Sequence, residues 1–266
     1  MAGMLQPQWT WRTFGQTDRG LVRATNQDAL LVDDQHRLWA VADGMGGHAG
    51  GDVASRLVIE TVARLGSTLV PESADGRLLL PQVIGRITEL IAHAHRAILT
   101  HVDHHPSLRG MGTTLALAHF LPISPPRLII ANVGDSRAYL LRPSAITQVT
   151  RDHTLVEEYL RDGLLTPAQA ATHPDRHVLT RAMGQGLTVQ CDTFIHDVQP
   201  GDLLLLCSDG LTKMLDDERI LDLASPHLDQ PSHTVAALIQ AALTAGGIDN
   251  VTVVACRFSE SHAPDK

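Results

Sequence analysis

In the stretch RLWAVADGMGGHAGGDVAS, residues 37–55, an apolar run stops at Asp43 and five glycines fill the next eight positions. A helix-patterned segment, DVASRLVIETVARL, begins at Asp52. Glycines permit backbone angles closed to other residues and let a ligand or another segment approach closely. Such a loop can cradle a phosphate, bind a metal through Asp43, or simply turn a corner. It lacks the Lys-Ser/Thr ending of a P-loop, which argues against nucleotide binding by that route.

Working outward, LWAVAD, RLIIANV, RAYLLR, DLLLLCS and NVTVVAC are short, apolar and partly β-branched, and are predicted to be buried strands. Helical spacing recurs in LLLPQVIGRITELIAHAHRAI and in HTVAALIQAAL. RLIIANVGDSRAYLLR is predicted to be two strands around a tight Gly134-Asp135-Ser136 turn. Strands adjacent in sequence and joined by turns favour antiparallel sheets covered by helices over a strict βαβ series. Residues 150–185 are polar, His-rich and weakly periodic, and read as a flap-like excursion over the surface.

The chain has 266 residues, 44% hydrophobic and 19% charged, enough for one large core. No Pro/Ser/Gly-rich linker divides it, so residues 1–266 are expected to form a single domain. Cys191, Cys207 and Cys256 are scattered beside apolar runs without a CxxC pair, as expected of thiols in a reducing cytoplasm. No apolar stretch approaches the roughly 20 residues of a membrane span, and MAGMLQPQWTWR lacks the order of a signal peptide. A free-standing cytoplasmic protein with no membrane association is therefore expected. The net charge of −8 argues against a nucleic-acid partner, which demands a basic face. It suits a protein that gathers acids to hold cations.

Those acids have a pattern. Asp43 follows LWAVA, Asp135 follows IIANVG, Asp209 follows LLLLCS, and Asp249 immediately precedes NVTVVAC. Strand ends on one rim can bring such groups together, where unneutralised carboxylates repel one another and take up protons. A hard divalent cation, Mg²⁺ or Mn²⁺, removes that conflict, and glycine lets a backbone carbonyl join the shell. A single Asp-Gly is more often a hairpin turn; the repetition at strand ends carries the argument. There is no GxSxG elbow and no calcium loop, and HVDHH at 101–105 lacks the HExxH pattern and reads as a solvated helix end.

RATNQD (23–28), DGMGGHAGG (43–51), GMGTT (110–114), ANVGDSRAYL (131–140), LLLLCSDGL (203–211) and GGIDNVTVV (246–254) occur in that order. Together they resemble the bacterial branch of the protein phosphatase 2C, or PPM, family of metal-dependent serine/threonine phosphatases, over about residues 12–257. The resemblance implies an α+β fold, a four-layer α-β-β-α sandwich of two antiparallel sheets flanked by helices. It implies hydrolysis of phosphoserine and phosphothreonine on proteins by a metal-activated water, opposing a Hanks-type serine/threonine kinase. In that likeness Asp43 bridges two Mg²⁺ or Mn²⁺ ions, the Gly44 carbonyl binds one, and Asp209 and Asp249 complete the other's shell. Asp28 holds metal-bound water, Asp135 with Asp209 serves a third, weaker site, and Arg23 clamps the substrate phosphate, for which a guanidinium fork is suited.

Thr113 and Thr114 are expected to pack and hydrogen-bond beneath the site, and Cys207 to pack within its strand. One departure stands out. Eukaryotic members commonly carry histidine directly after the Asp-Gly as a proposed general acid; here that residue is Met45, and His48 or a metal-bound water is the alternative donor. Two other functions share parts of the pattern. A non-catalytic phosphoprotein-binding relative is expected to lack metal acids, whereas Asp43, Asp209 and Asp249 are all present. A hydrolase of small phosphoesters would share the same metal core.

Overall fold

The computed structural model describes residues 8–45, 50–69 and 76–261. Its strands are β1 (Gln8–Asp18), β2 (Asp28–Asp33), β3 (Leu38–Met45), β4 (Gly112–Thr113), β5 (Leu115–Leu121), β6 (Arg127–Val133), β7 (Arg137–Arg142), β8 (Ala145–Gln148), β9 (Asp192–Asp197), β10 (Leu203–Cys207) and β11 (Val251–Ser261). The helices are α1 (Gly51–Leu65), α2 (Gly76–His104), α3 (Leu155–Arg161), α4 (Pro167–Ala171), α5 (Asp209–Thr212), α6 (Asp217–Ala224) and α7 (Pro231–Thr244). One antiparallel sheet has the order β1-β11-β10-β7-β8; the other runs β2-β3-β5-β6-β9, with β4 on β3.

Three apolar layers explain why the central strands read as unbroken hydrophobic runs. Leu38, Ala40 and Ala42 of β3 face α1 and α2, while Trp39 and Val41 face the opposing sheet. On β10, Leu203, Leu205 and Cys207 face the helices that include α6 and α7, and Leu204 and Leu206 point between the sheets. Both faces are covered, so the alternation typical of a half-solvated antiparallel sheet is lost. Between the sheets Phe120 and Phe258 lie 4.8 Å apart, and Trp39 meets Phe258 edge-on at 5.9 Å. The result is the α-β-β-α sandwich expected above. Among the described residues no helix is long and apolar enough to cross a membrane.

One expectation is corrected. β6 and β7 do not pair with each other: β6 pairs with β5 and β9, and β7 with β10 and β8. Gly134, at φ +100°, turns the chain from one sheet to the other. A glycine turn between two apolar runs looks the same in sequence whether the runs are neighbours in one sheet or lie in facing sheets.

Residues 150–185 form an excursion carrying α3 and α4, pinned at both ends. Arg137 forks onto Asp152, and the Gly134 N–H donates to His153 Nδ1 at 3.0 Å. At the far end Thr113 and Met183 exchange backbone hydrogen bonds, and Arg181 donates to Asp192 at 2.7 Å. His101–His104 end α2 and His105 follows it, with the His101 and His105 imidazoles stacked 4.3 Å apart.

Leu206 is wholly buried between the sheets. Leu206→Ala is expected to cost about 2–5 kcal/mol of unfolding free energy, read as a lowered denaturant midpoint. His119, wholly buried on β5, provides a pH test. Burial, reinforced by the Arg37 charge, pushes its pKa down to about 4, so the folded imidazole is neutral where the unfolded one still binds a proton. Its contribution is complete above about pH 6.5 and is lost as pH falls toward 4. Unfolding free energy is expected to decline across that window, and His119→Leu to flatten the decline; an unchanged slope sinks the assignment.

Candidate active site

The ends of β3, β6 and β10 and the starts of β2 and β11 share one rim of the sandwich. The β2–β3 register sets Asp28 directly opposite Asp43. The β10–β11 pairing, Cys207 against Val253, brings Asp209 and Asp249 to the same end. Asp135 sits on the turn that crosses between the sheets. Arg23, Asp43, Gly44, Asp135, Asp209 and Asp249 line one cleft, and Asp28 lies opposite Asp43 on the neighbouring strand. Met45 is at the cleft wall. His48 lies outside the described residues.

The backbone at Asp43 is fixed by the threonines of GMGTT. Asp43 N–H donates to Thr114 Oγ1, and its carbonyl accepts from Thr113 Oγ1 and from the Thr114 N–H, each at 2.9 Å. Thr114 Oγ1 in turn shares a hydrogen bond with Ser136 Oγ at 2.7 Å. Both threonines are buried with their hydroxyls engaged, so they hold the rim, and Thr114 also lines the cleft. At Gly44 the chain passes so close to α1 that a Cβ would lie 2.1 Å from the Gly51 carbonyl oxygen. Only glycine fits there.

Electrostatics dominate the cleft. Burial raises Asp28 to about 7, although hydrogen bonds from Thr252 (2.6 Å) and Ser208 (2.7 Å) oppose the rise. Burial first, then the charge of Asp28 and of Asp209, Asp135 and Asp249, drives Asp43 well above the ordinary carboxylate range. Asp135 rises to about 7, again through burial and then through Asp209. Burial also pushes Asp249 upward, but Lys213 and then Arg23 outweigh it and hold this carboxyl below its ordinary value.

Lys213 Nζ lies 2.6 Å from Asp209 Oδ2 and 2.9 Å from Asp249 Oδ2. Arg23 forks onto Asp249 through Nε at 2.7 Å and Nη2 at 2.8 Å. Asp28 Oδ1 and Asp209 Oδ1 are buried with no hydrogen-bond partner. Among the described residues no three histidine, cysteine or acidic side chains are grouped so as to hold a metal ion as they stand, and Lys213 and Arg23 pair with Asp209 and Asp249.

Several residues here are not marked by sequence pattern alone. Lys213 stands four residues after Asp209 in DGLTK, one helical turn on, and that spacing is the signal that finds it. His177 and Leu179 reach the cleft from the 150–185 excursion, which sequence cannot dock. Asn250 is the other. Its side chain accepts from the Gln27 N–H at 2.8 Å and donates to the carbonyls of Arg19 (2.8 Å) and Thr25 (2.9 Å). It thereby stitches the RATNQD loop to the start of β11. Asn250→Ala strands these groups and is expected to lower stability by roughly 1–3 kcal/mol and to speed hydrogen exchange at the Gln27 amide. Unchanged exchange there removes Asn250 from that role.

A family model described as Protein phosphatase 2C matches residues 22–244. The serine/threonine protein phosphatase PstP of Mycobacterium tuberculosis is 41% identical over 244 residues, 91% of this chain but 44% of that protein. The chain thus spans less than half the length of that curated relative. The serine/threonine phosphatase stp of Listeria welshimeri is 38% identical over 242 residues, covering 90% of this chain and 92% of its own. Among solved structures, the catalytic domain of the phosphatase PstP in complex with two manganese ions superposes with a TM-score of 0.79 at 36% identity, covering 95% of this chain and all of that one.

Proposed function

The chain belongs to the protein phosphatase 2C family, and on that premise we propose that it is a metal-dependent protein serine/threonine phosphatase, hydrolysing phosphoserine and phosphothreonine on proteins. The observation that carries this reading is the facing pair Asp28 and Asp43, with Asp135, Asp209 and Asp249 beside it. Opposed like charges in a sheet are destabilising. Two buried carboxylate oxygens, on Asp28 and Asp209, have no partner. An all-oxygen donor set with orphaned carboxylate atoms fits hard cations such as Mn²⁺ or Mg²⁺. The manganese-bound relative supports two ions.

In this reading Asp43, the Gly44 carbonyl, Asp209 and Asp249 would hold the two ions, Asp28 would act through water, and Asp135 with Asp209 would offer a third, weaker position. When bound, the ions supply a water of lowered pKa and neutralise charge on the phosphoryl oxygens. The chain's own residues do the rest. Thr113 and Thr114 fix Asp43, and Asn250 fixes the loop bearing Arg23. Arg23 now pairs with Asp249; once that carboxylate is neutralised otherwise, its fork is free to grip two phosphate oxygens. Cys207 is wholly buried with its thiol pKa pushed up to about 12 by burial, and plays no nucleophilic part.

The catalytic domain in this reading spans about residues 12–257. Its partners are phosphorylated proteins and the Hanks-type kinase that phosphorylates them. The setting is a reducing cytoplasm, matched to three unpaired cysteines. Phosphate release from a phosphothreonine peptide with Mn²⁺ tests the proposal. EDTA is expected to abolish release, and Asp209→Asn to lower kcat by on the order of 100-fold or more while the protein stays folded. Metal-independent release, or full activity in Asp209→Asn, rules the site out. Arg23→Ala is expected to raise KM roughly tenfold, the value of a lost charge-assisted pair.

A further inference from the structure

Among the described residues, aliphatic side chains are mostly packed into the three apolar layers, yet some stand in the open beside cleft residues, among them Val178 and a group of three on two neighbouring loops. Leu21 is 67% exposed, Val22 68% and Ile248 48%. They sit on two loops, and each loop places an aliphatic residue immediately before a site residue: Val22 before Arg23, Ile248 before Asp249. The loops are tied together. The Leu21 N–H donates to the Gly247 carbonyl at 2.8 Å, and Leu21 lies over Gly247 so closely that a Cβ there would meet its Cγ at 3.0 Å. Ile248 also lines a groove that leaves the cleft at Asp135, Asp209 and Asp249 and continues past Val156 and Leu160 of α3.

We infer that Leu21, Val22 and Ile248 are specificity-determining residues that favour phosphopeptides with an aliphatic residue next to the phosphorylated one; this rests on the phosphatase reading above. Scattered exposed aliphatics need no explanation, but these are grouped on two hydrogen-bonded loops that carry Arg23 and Asp249 into the cleft. Successive residues of an extended peptide are about 3.3–3.6 Å apart. A residue flanking one whose phosphate reaches Arg23 is therefore within reach of the chain neighbours of Arg23 and Asp249. An acidic flank meets the carboxylate rim and a net charge of −8. A glycine flank covers nothing. An aliphatic flank removes apolar surface from water on both sides, and the loop hydrogen bonds mean that little ordering is needed to receive it.

The test compares wild type with a Leu21→Ser, Val22→Ser, Ile248→Ser triple variant, in Mn²⁺. The substrates are a phosphothreonine peptide flanked by leucines, the same peptide flanked by glycines, and p-nitrophenyl phosphate. Val22→Ser alone provides the comparison if the triple variant folds poorly. Wild type is expected to favour the leucine peptide about tenfold in kcat/KM, a ratio typical of one apolar contact. The variant is expected to lose that preference and to cleave p-nitrophenyl phosphate as wild type does. Equal efficiency of wild type on both peptides, or a preference that survives the substitutions, overturns the inference. So does sedimentation showing a wild-type dimer and a variant monomer with unchanged peptide ratios, which assigns the patch to contact between copies. Failure of wild type to cleave any of the three substrates instead overturns the phosphatase reading, and the inference with it.

Discussion

Repulsion among carboxylates brought together in a space poor in water is the constraint on which the rest of this rim depends. Asp28 and Asp43 oppose each other across one strand pair, and Asp135, Asp209 and Asp249 close in from neighbouring turns. Left alone, such a cluster sheds charge by taking up protons, and burial first, with the neighbouring carboxylates adding to it, raises Asp28, Asp43 and Asp135. Lys213 and Arg23 pair directly with Asp209 and Asp249, and the Lys213 charge also offsets part of the rise at Asp135. The surrounding architecture can be read as the means of holding the arrangement against its own electrostatics: hydroxyls of Ser208 and Thr252 on Asp28, threonines clamping Asp43, and an asparagine lacing two loops together.

How far this was legible in the sequence depends on the range of the interaction. Strands buried on both faces, such as LLLLC and RLIIANV, announce themselves because every position is apolar. β1 does not: QWTWRTFGQTD alternates, with Trp9 and Trp11 packing edge-on to Phe120 and the intervening residues outside. β9, DTFIHD, is an edge strand with mixed polarity and gives an equally faint signal. The turn at Gly134 was legible as a turn but not as a crossing between sheets, because nothing local encodes which strand lies alongside.

The acids followed the same rule. Asp43, Asp135, Asp209 and Asp249 were visible as a repeated pattern at strand ends, and Asp28 and Arg23 only through their place in an ordered series of motifs. Asn250 and His177 were invisible because their meaning is purely spatial. Asn250 matters for three backbone groups lying more than 200 positions away in the chain. His177 matters because an excursion pinned by Arg137 and His153 carries it back over the rim.

The division of the acids between the two sheets has a mechanical consequence. Asp28 and Asp43 belong to one sheet, and Asp209 and Asp249 flank strands of the other. Apart from the turn at Asp135, the two sets are kept in register by the apolar layer of Phe120, Phe258, Trp39 and their neighbours between the sheets, and by hydrogen bonds across the rim from Ser208 and Thr252 to Asp28 and from the Gln27 N–H to Asn250. A cation held by both sets, as proposed above, would act as a clasp across two plates. By linkage, whatever loosens the plates weakens the clasp, and whatever fills the clasp stiffens the plates. Packing far from the rim and ion affinity at the rim are therefore two readings of one coordinate, the relative position of the sheets.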